Sequence, residues 1–406
     1  VGRLGSTSEH TTEVGVSGAT AGFRAAHPPP RRENTAAVNY NIRGHNIMAE
    51  KLAIAMSGGV DSSVALVLLK DKYEVSGYTL KLHDSRGTDD SGLCGSASDI
   101  EDAKAIAAKF GVPHYLLDMR DLFSDTVQKS FVHSYLSGRT PNPCVECNET
   151  IKFGALLDAV KKQGINHIAT GHYVRSCYDE KSGRWLLKKA INADGTSNAK
   201  DQSYVLYRLS QQQLAASVFP LGEMTKDEIR HIAADSGLIN SDKPDSQDIC
   251  FVPDGDYAGF IERYTGNTYP DGDFLDENGN VIGRHKGVIF YTIGQRRGIG
   301  TGFGKPMYVI GKNADNNTVT LGSNELLFTD TLYADNLNWI AFEYPESEFK
   351  CKAKTRYRQT EQPCTVYPQD RNTVRVVFDE KIRAVTPGQH VVFYDGDIVL
   401  GGGVIM

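Results

Sequence analysis

The sequence predicts a doubly wound α/β domain, built on a parallel sheet, followed by two small all-β modules of which the last is a β-barrel. Three observations predict it. From Lys51 onward, short apolar runs alternate with stretches of helical periodicity, the pattern of strands crossing over through helices. A glycine turn joins the first strand to the first helix. After about Cys250 the texture changes to short strands separated by closely spaced Gly, Asn and Asp turns, as in Asp276 to Asn280, Asn313 to Asn317 and Tyr394 to Asp397.

Leu52 to Met56 reads as the first strand and Ser62 to Lys72 as the first helix. Val75 to Leu80 is the next strand. Ile100, Ala103, Ile106, Ala107 and Phe110 share one face of a helix that Gly111 stops. His114 to Leu117, Asp121 to Leu136, Ile151 to Lys162 and His167 to Thr170 continue the alternation. The expected organisation is an N-terminal extension over 1–48, a catalytic domain over 49–250, a central β module over 255–322 and a terminal barrel over 327–406. Residues 1–47 are rich in Gly, Ser, Thr, Ala and Pro without an apolar secretion core, so they are expected to be disordered or an upstream reading ahead of Met48. Glu9, Glu13 and Glu33 weigh against the rival reading, a mitochondrial transit peptide.

The chain has 406 residues, 40% hydrophobic and 23% charged, with a formal net charge of -6. Its apolar runs fall far short of the roughly 20 residues that span a bilayer, so no membrane role is expected. A nucleic-acid partner would have to meet a local basic surface rather than the field of the whole molecule. Seven cysteines (Cys94, Cys144, Cys147, Cys177, Cys250, Cys351 and Cys364) are spread thinly along a long chain, which suits a reducing, cytoplasmic setting better than a disulfide framework.

Chemistry concentrates in three places. Ala55-Met56-Ser57-Gly58-Gly59-Val60-Asp61-Ser62-Ser63 is a glycine turn opening a helix, where unpaired N–H groups and the helix dipole favour an anion. It lacks the lysine of a mononucleotide P-loop and looks like the pyrophosphate loop of enzymes that split ATP into AMP and pyrophosphate. That likeness implies magnesium held with the help of Asp61 and phosphate contacts from the serines. The plain alternative is a turn whose Asp61 and Ser62 cap the helix. Pro141-Asn142-Pro143-Cys144-Val145-Glu146-Cys147 is a proline-stiffened loop displaying two thiols, open to redox, zinc or cluster readings. Asp248-Ile249-Cys250-Phe251 puts a third cysteine in a polar, proline-bounded loop.

From about Lys51 to Met406 these motifs, in order, resemble the tRNA-specific 2-thiouridylases. Further matching stretches are Ala169 to Tyr173, Lys200 to Tyr204, Tyr291 to Gly298, Thr355 to Arg358 and Thr386 to Gln389. The resemblance implies a persulfide on Cys250 and a partner, Cys147, that forms a disulfide with it. It places ATP against Ala55 to Ser62, Leu80 and Gly171. It places tRNA against Asn142, Pro143, Cys144, His172, Lys200, Asp201, Gln202, Arg356, Tyr357 and Gln389. It implies a wobble uridine of Lys, Glu and Gln tRNAs as target, and a cysteine desulfurase or sulfur-relay protein as supplier. Many members have aspartate where this chain has Cys144. Members with Cys-x-x-Cys raise an alternative, in which Cys144, Cys147 and Cys250 together hold an iron–sulfur cluster.

The chemistry asks for this equipment. A uracil C2 carbonyl does not expel oxide, so its oxygen must first be adenylated before sulfur can take its place. For RNA contact, Lys350, Lys352, Lys354, Arg356 and Arg358 alternate with other residues, and a strand through them is expected to show all five cations on one face. Arg139, Lys152, Arg296 and Arg297 are further phosphate candidates. The glycines from Gly298 to Gly304 read as turn material, and His231 and His285 as surface or packing residues. The competing functions are another adenylating ligase of the same loop class and a non-catalytic RNA-binding scaffold.

Overall fold

The computed structural model describes residues 50–83, 96–245, 249–300, 302 and 304–406, which belong to one compact unit, Ala49–Met406. The N-terminal extension, Cys94 and Ser246 to Asp248 lie outside the described residues.

The first layer is a five-stranded parallel sheet of β1 (Lys51–Ala55), β2 (Glu74–Lys81), β3 (His114–Asp118), β4 (His167–Ala169) and β7 (Ser217–Val218), in the order β3-β2-β1-β4-β7. Leu52, Ala53 and Ile54 are wholly buried, as the centre of a sheet covered on both faces requires. The chain leaves β1 towards β2 on one side and later returns with β4 on the other. That reversal opens a crevice beyond the carboxyl ends of β1 and β4, the place where open α/β sheets bind ligands.

Helix α1 (Val60–Leu69) follows β1, and α2 (Ala97–Lys109) starts from an N-cap at Ser96. Arg120–Leu136 and Pro143–Lys161 are helical runs interrupted by wide π turns at Ser124–Gln128 and Cys147–Ala155. Such turns displace side chains from their α-helical positions and recur at functional sites. A β-hairpin, β5 (Val174–Asp179) and β6 (Arg184–Lys189), grows out of this domain; the strand-and-helix reading of the sequence does not contain it.

A second sheet joins β8 (Gly272–Leu275), β9 (Val281–His285), β10 (Tyr308–Asn313) and β11 (Thr318–Gly322) in the order β10-β11-β8-β9. Ahead of it the structure has a helix, Tyr257–Thr265, in a stretch the sequence reads as all-β. Asp256 caps it and Gly266, at φ 69°, ends it, while Ala258, Phe260 and Ile261 supply its buried face.

The third sheet closes on itself. β12 (Phe328–Trp339), β13 (Phe349–Lys354), β14 (Gln362–Pro368), β15 (Val374–Arg383), β16 (His390–Asp395) and β17 (Ile398–Ile405) run in the order β12-β15-β14-β13-β16-β17, and β12 also pairs with β17. Closure leaves a barrel without free edges. The hairpin of the first domain joins it through Ile398 and Lys188. Polar contacts complete the union: the Tyr204 hydroxyl donates to the His390 carbonyl at 2.9 Å, Tyr207 Oη lies 2.8 Å from His390 Nδ1, and Lys189 pairs with Glu361 at 2.7 Å.

Candidate active site

The turn after β1 is tied internally by its serines. Ser57 N donates to Ser62 Oγ at 3.1 Å, and the hydroxyls of Ser62 and Ser63 donate back to the Gly59 carbonyl at 3.1 and 2.9 Å. The N-cap of α1 is Gly59, without a side-chain cap, so neither Asp61 nor Ser62 acts as the cap of the plain alternative. The first-turn N–H groups thus face the crevice as an anion site. Gly58 has φ 78°, and a Cβ there would collide with the Asp99 backbone. At Gly171, beyond β4, a Cβ would lie 2.7 Å from Asp61 C and Ser62 N. Both positions therefore need glycine for close backbone approach. Leu80, buried near the end of β2, joins Ala55 to Ser62 and Gly171 at this edge of the sheet.

Asp61 is the acidic group in the first turn of α1. Its Oδ1 accepts from the Tyr173 hydroxyl at 2.6 Å and from Lys226 Nζ at 2.7 Å. Burial first, then the charge of Asp61, raises the pKa of the Tyr173 phenol, which keeps it a donor. Lys226 also pairs with Asp245 at 2.6 Å, and Asp245 in turn with Lys200 at 2.7 Å. Burial works to raise the Asp245 carboxyl, but the two lysines outweigh it and its pKa is lowered. Asn240 Nδ2 donates to the Gly58 carbonyl at 2.8 Å and Ser63 Oγ at 3.1 Å, while Lys243 reaches Asp99 and Asp102. Sequence reasoning missed Lys226, Asn240 and Lys243. The one local signal was Thr225-Lys226-Asp227-Glu228, a capping box with a lysine in its first turn.

The cysteine loop is held from the barrel side. Thr140 N donates to the Pro387 carbonyl at 2.8 Å, and Gln389 Nε2 donates to the carbonyls of Thr140 and Pro141 at 2.8 and 3.3 Å. Asn142 caps the helix by accepting from Cys144 N, with Pro143 as first residue. Cys144 is exposed and Cys147 buried. Cys250 is partly buried. Its neighbour Phe251 packs against Phe123, Phe131 and Phe260, with ring centroids 5.6, 5.2 and 4.9 Å away. Phe131 lies on the helix that leads into the cysteine loop, so the third cysteine is anchored to the element presenting the first two. Among the described residues, no group of three His, Cys, Asp or Glu is placed to hold a metal ion; Cys144, Cys147 and Cys250 are not assembled as a cluster ligand set.

The residues tied by resemblance to tRNA fall into two groups. Asn142, Pro143, Cys144, Tyr357 and Gln389 lie around the cysteine loop: burial first, then Asp201, pushes the Tyr357 phenol up to about 12, with Cys144 a smaller cause, and its ring packs on Tyr204 at 6.2 Å. His172, Lys200 and Gln202 lie towards the crevice, Asp201 faces Lys354 of the barrel and so stands between the two groups, and these residues serve the fold as well. Gln202 Oε1 accepts from Tyr173 N at 2.9 Å, and Asp201 accepts from Ala190 N and Ser203. His172 Nδ1 lies 2.8 Å from Thr170 Oγ1, and burial, then Lys152, holds its pKa down at about 3. The expectation of five cations on one strand face fails. β13 ends at Lys354, which turns to Asp201 and Glu361 at 3.9 and 3.8 Å. Arg356 lies in the following turn and donates to Ala384 O and Thr386 Oγ1 at 2.8 and 3.0 Å. Lys350 and Lys352 remain exposed on the strand.

A doubly wound sheet with a serine–glycine turn at its switch point, an acidic residue beside that turn and a cysteine loop framed by a barrel defines an ATP-dependent nucleotidyl-activating domain equipped with thiols. Residues 50–254 match the family described as tRNA methyl transferase HUP domain, 258–323 its PRC-barrel domain and 329–405 the aminomethyltransferase beta-barrel domain. The tRNA-specific 2-thiouridylase MnmA of Clostridioides difficile (strain 630) is 46% identical over 360 residues, covering 88% of this chain and 98% of that protein. The protein of that name from Acetivibrio thermocellus is likewise 46% identical, over 88% of this chain and 99% of its own length. The chain belongs to the tRNA-specific 2-thiouridylase family. A solved U34-tRNA thiolase NcsA from Methanococcus maripaludis, with its [4Fe-4S] cluster, overlaps 55% of this chain and 74% of its own at 16% identity and a TM-score of 0.32, too slight a likeness to bear on the chemistry.

Proposed function

We propose that the protein is a tRNA-uridine 2-sulfurtransferase, which adenylates the O2 of a wobble uridine and then replaces that oxygen with sulfur. The observation that carries the reading is the uncapped N-terminus of α1 behind Gly58 and Gly59, set at the sheet's switch point in a chain that also frames a cysteine loop with its barrel. Family membership over nearly the full length of the relatives favours thiolation over another adenylating ligase. The partly exposed carboxylate of Asp61 suits magnesium, which prefers oxygen donors. Asp61 would hold it, and the ion would offset the charge of ATP's phosphates.

In the first step the uridine O2 attacks the α-phosphorus of ATP, an O–P bond forms and pyrophosphate leaves. The first-turn N–H groups and serines of the loop receive the departing charge. In the second step the terminal sulfur of a Cys250 persulfide bonds to C2 and AMP leaves with the former O2. The Cys147 thiolate then attacks the inner sulfur of Cys250. The bond between the two sulfurs of the former persulfide breaks, its electron pair stays on the thiocarbonyl sulfur, and a Cys147–Cys250 disulfide remains for an external thiol to reduce. A cysteine desulfurase or relay protein supplies the sulfur, in a reducing, cytoplasmic setting. Wobble uridines of Lys, Glu and Gln tRNAs are the proposed targets. No helix among the described residues is long and apolar enough to cross a membrane.

Two measurements test the reading. Purified protein given tRNA, ATP and a persulfide donor should yield 2-thiouridine by nucleoside mass analysis, with AMP formed in equal amount. Asp61→Ala should abolish ATP–pyrophosphate exchange while tRNA affinity stays within about twofold. Thiolation without ATP, or exchange retained by that variant, would count against the reading.

A further inference from the structure

Lys226 occupies a position that electrostatics argues against. It is the first residue of the helix Lys226–Asp235, behind a Thr225 N-cap, at the end where the helix dipole disfavours a cation. Asp227 and Glu228, in the same turn, are the acids that this end favours. Its side chain is only 13% exposed, and its ammonium bridges two carboxylates, Asp61 at 2.7 Å and Asp245 at 2.6 Å. A long charged side chain buried at a dipole's positive end between two acids is an expensive arrangement to keep for stability alone.

The phosphate loop offers the complementary observation. It has no lysine of its own between Ala55 and Ser63, yet the leaving group it is read to receive is a pyrophosphate carrying several negative charges. Lys226 meets the loop directly, through the carboxylate that stands in the first turn of α1. Tyr173 donates to the same Oδ1, so Asp61 is fixed from a second side and the lysine is not needed merely to orient it.

Resting on the reading that this loop binds the phosphates of ATP, we propose that Lys226 is a catalytic residue of the adenylation step: the cation that binds the pyrophosphate group, neutralised by Asp61 and Asp245 when the site is empty. Asp245 then competes with pyrophosphate for the lysine, and Lys200, paired to the other oxygen of Asp245, moderates that competition. No bond is made or broken by Lys226. It supplies charge and hydrogen bonds to the oxygens that gain charge as the bond between the α and β phosphates breaks.

The competition predicts opposite signs for two nearly isosteric changes, measured by calorimetric titration of the full-length protein with magnesium pyrophosphate. Lys226→Met should weaken binding by at least about tenfold and reduce its dependence on salt. Lys226→Arg should recover part of the loss. Asp245→Asn, which removes the competing charge, should bind magnesium pyrophosphate several-fold more tightly than the native protein. A purely structural Lys226 predicts instead that both Lys226→Met and Asp245→Asn lower the ligand-free melting temperature and weaken binding together; that result overturns the proposal. Unchanged affinity in Lys226→Met overturns it as well. Native protein that binds neither ATP nor magnesium pyrophosphate would instead refute the underlying reading of the loop, an outcome distinct from a native-like Lys226→Met.

Discussion

The chain holds two pairs of cysteines that differ in everything except proximity. Cys144 and Cys147 are three residues apart at the start of one helix, the first exposed and the second buried. Cys351 and Cys364 face each other across β13 and β14, with sulfurs 3.6 Å apart, and Cys364 is 2% exposed. The hydrogen bond to Cys364, then burial, pushes the Cys351 thiol far above its ordinary range. A thiol must ionise to attack. Spatial closeness therefore does not mark working cysteines, since the barrel pair is in contact yet Cys351 is held as the thiol. The barrel pair packs against the apolar core formed by Ala353, Val366 and Phe393, where free cysteine behaves as a small hydrophobe.

The sharpest test of this contrast is activity. Cys147→Ala and Cys250→Ala should each lose thiolation by about 10³-fold or more, Cys144→Ala should be slowed but measurable, and Cys351→Ala and Cys364→Ala should remain within about twofold of native. Equal, complete loss in Cys144→Ala, with stoichiometric iron in protein purified without oxygen, would replace the persulfide route with a cluster. Loss in either barrel variant without unfolding would erase the distinction between the pairs.

The next effect concerns the same strand's other face. Along β13 the exposed Lys350 and Lys352 alternate with Cys351 and Ala353, which turn to the barrel interior. Removing both lysines should weaken tRNA binding and lower the slope of log affinity against log salt by about 2, with thiolation at low salt and saturating tRNA unchanged. Arg356→Ala should act differently, because its guanidinium holds the Ala384–Thr386 turn. It should cost stability along with affinity, by urea unfolding and by filter binding.

These cases show what was legible in the sequence. The glycine turn, the parallel layer and the cysteine loop were readable because each is a local pattern: period, spacing, glycine where backbones approach. The basic stripe was misread because period-2 alternation was extended past Lys354, where the strand ends and the chain turns. Lys226, Asn240 and Lys243 were invisible because their partners lie 165, 182 and 144 positions away in the chain. The hairpin β5–β6 is a local pairing across a turn that ends at Gly183, so its signal was present in the sequence and was passed over.

A smaller effect is a pH dependence that the two regions share, since His172 and His390 are both held down at about 3. Burial, then Arg208, holds His390 down at about 3, and it stays a neutral partner of Tyr207. His390 has a folded pKa below its unfolded value of about 6.5, so the unfolded chain binds the proton first. The stabilisation is complete above about pH 6.5 and is lost as pH falls from there towards 3. Urea unfolding at pH 8 and pH 5 should show a decline, and His390→Asn should remove part of it, with the equally depressed His172 keeping the rest. An unaltered slope would mean that His390 is not one of the groups responsible.

The smallest expected effect returns to the barrel cysteines. Cys364→Ala removes one buried sulfur from a wall whose backbone ladder is untouched, so it should cost about 1 kcal/mol in urea unfolding. Cys351→Ala should cost less, since that residue is only partly buried. The double variant decides whether the 3.6 Å contact is itself a stabilising interaction. If the thiols only fill space, the two costs should add within about 0.5 kcal/mol. If the sulfur–sulfur hydrogen bond contributes, the double variant should be more stable than the sum, because the second deletion no longer breaks anything. Either result leaves thiolation intact. Alkylation of intact protein should show the same order, with Cys144 modified far ahead of Cys351 and Cys364, and a fast barrel thiol would break the contrast between the two pairs.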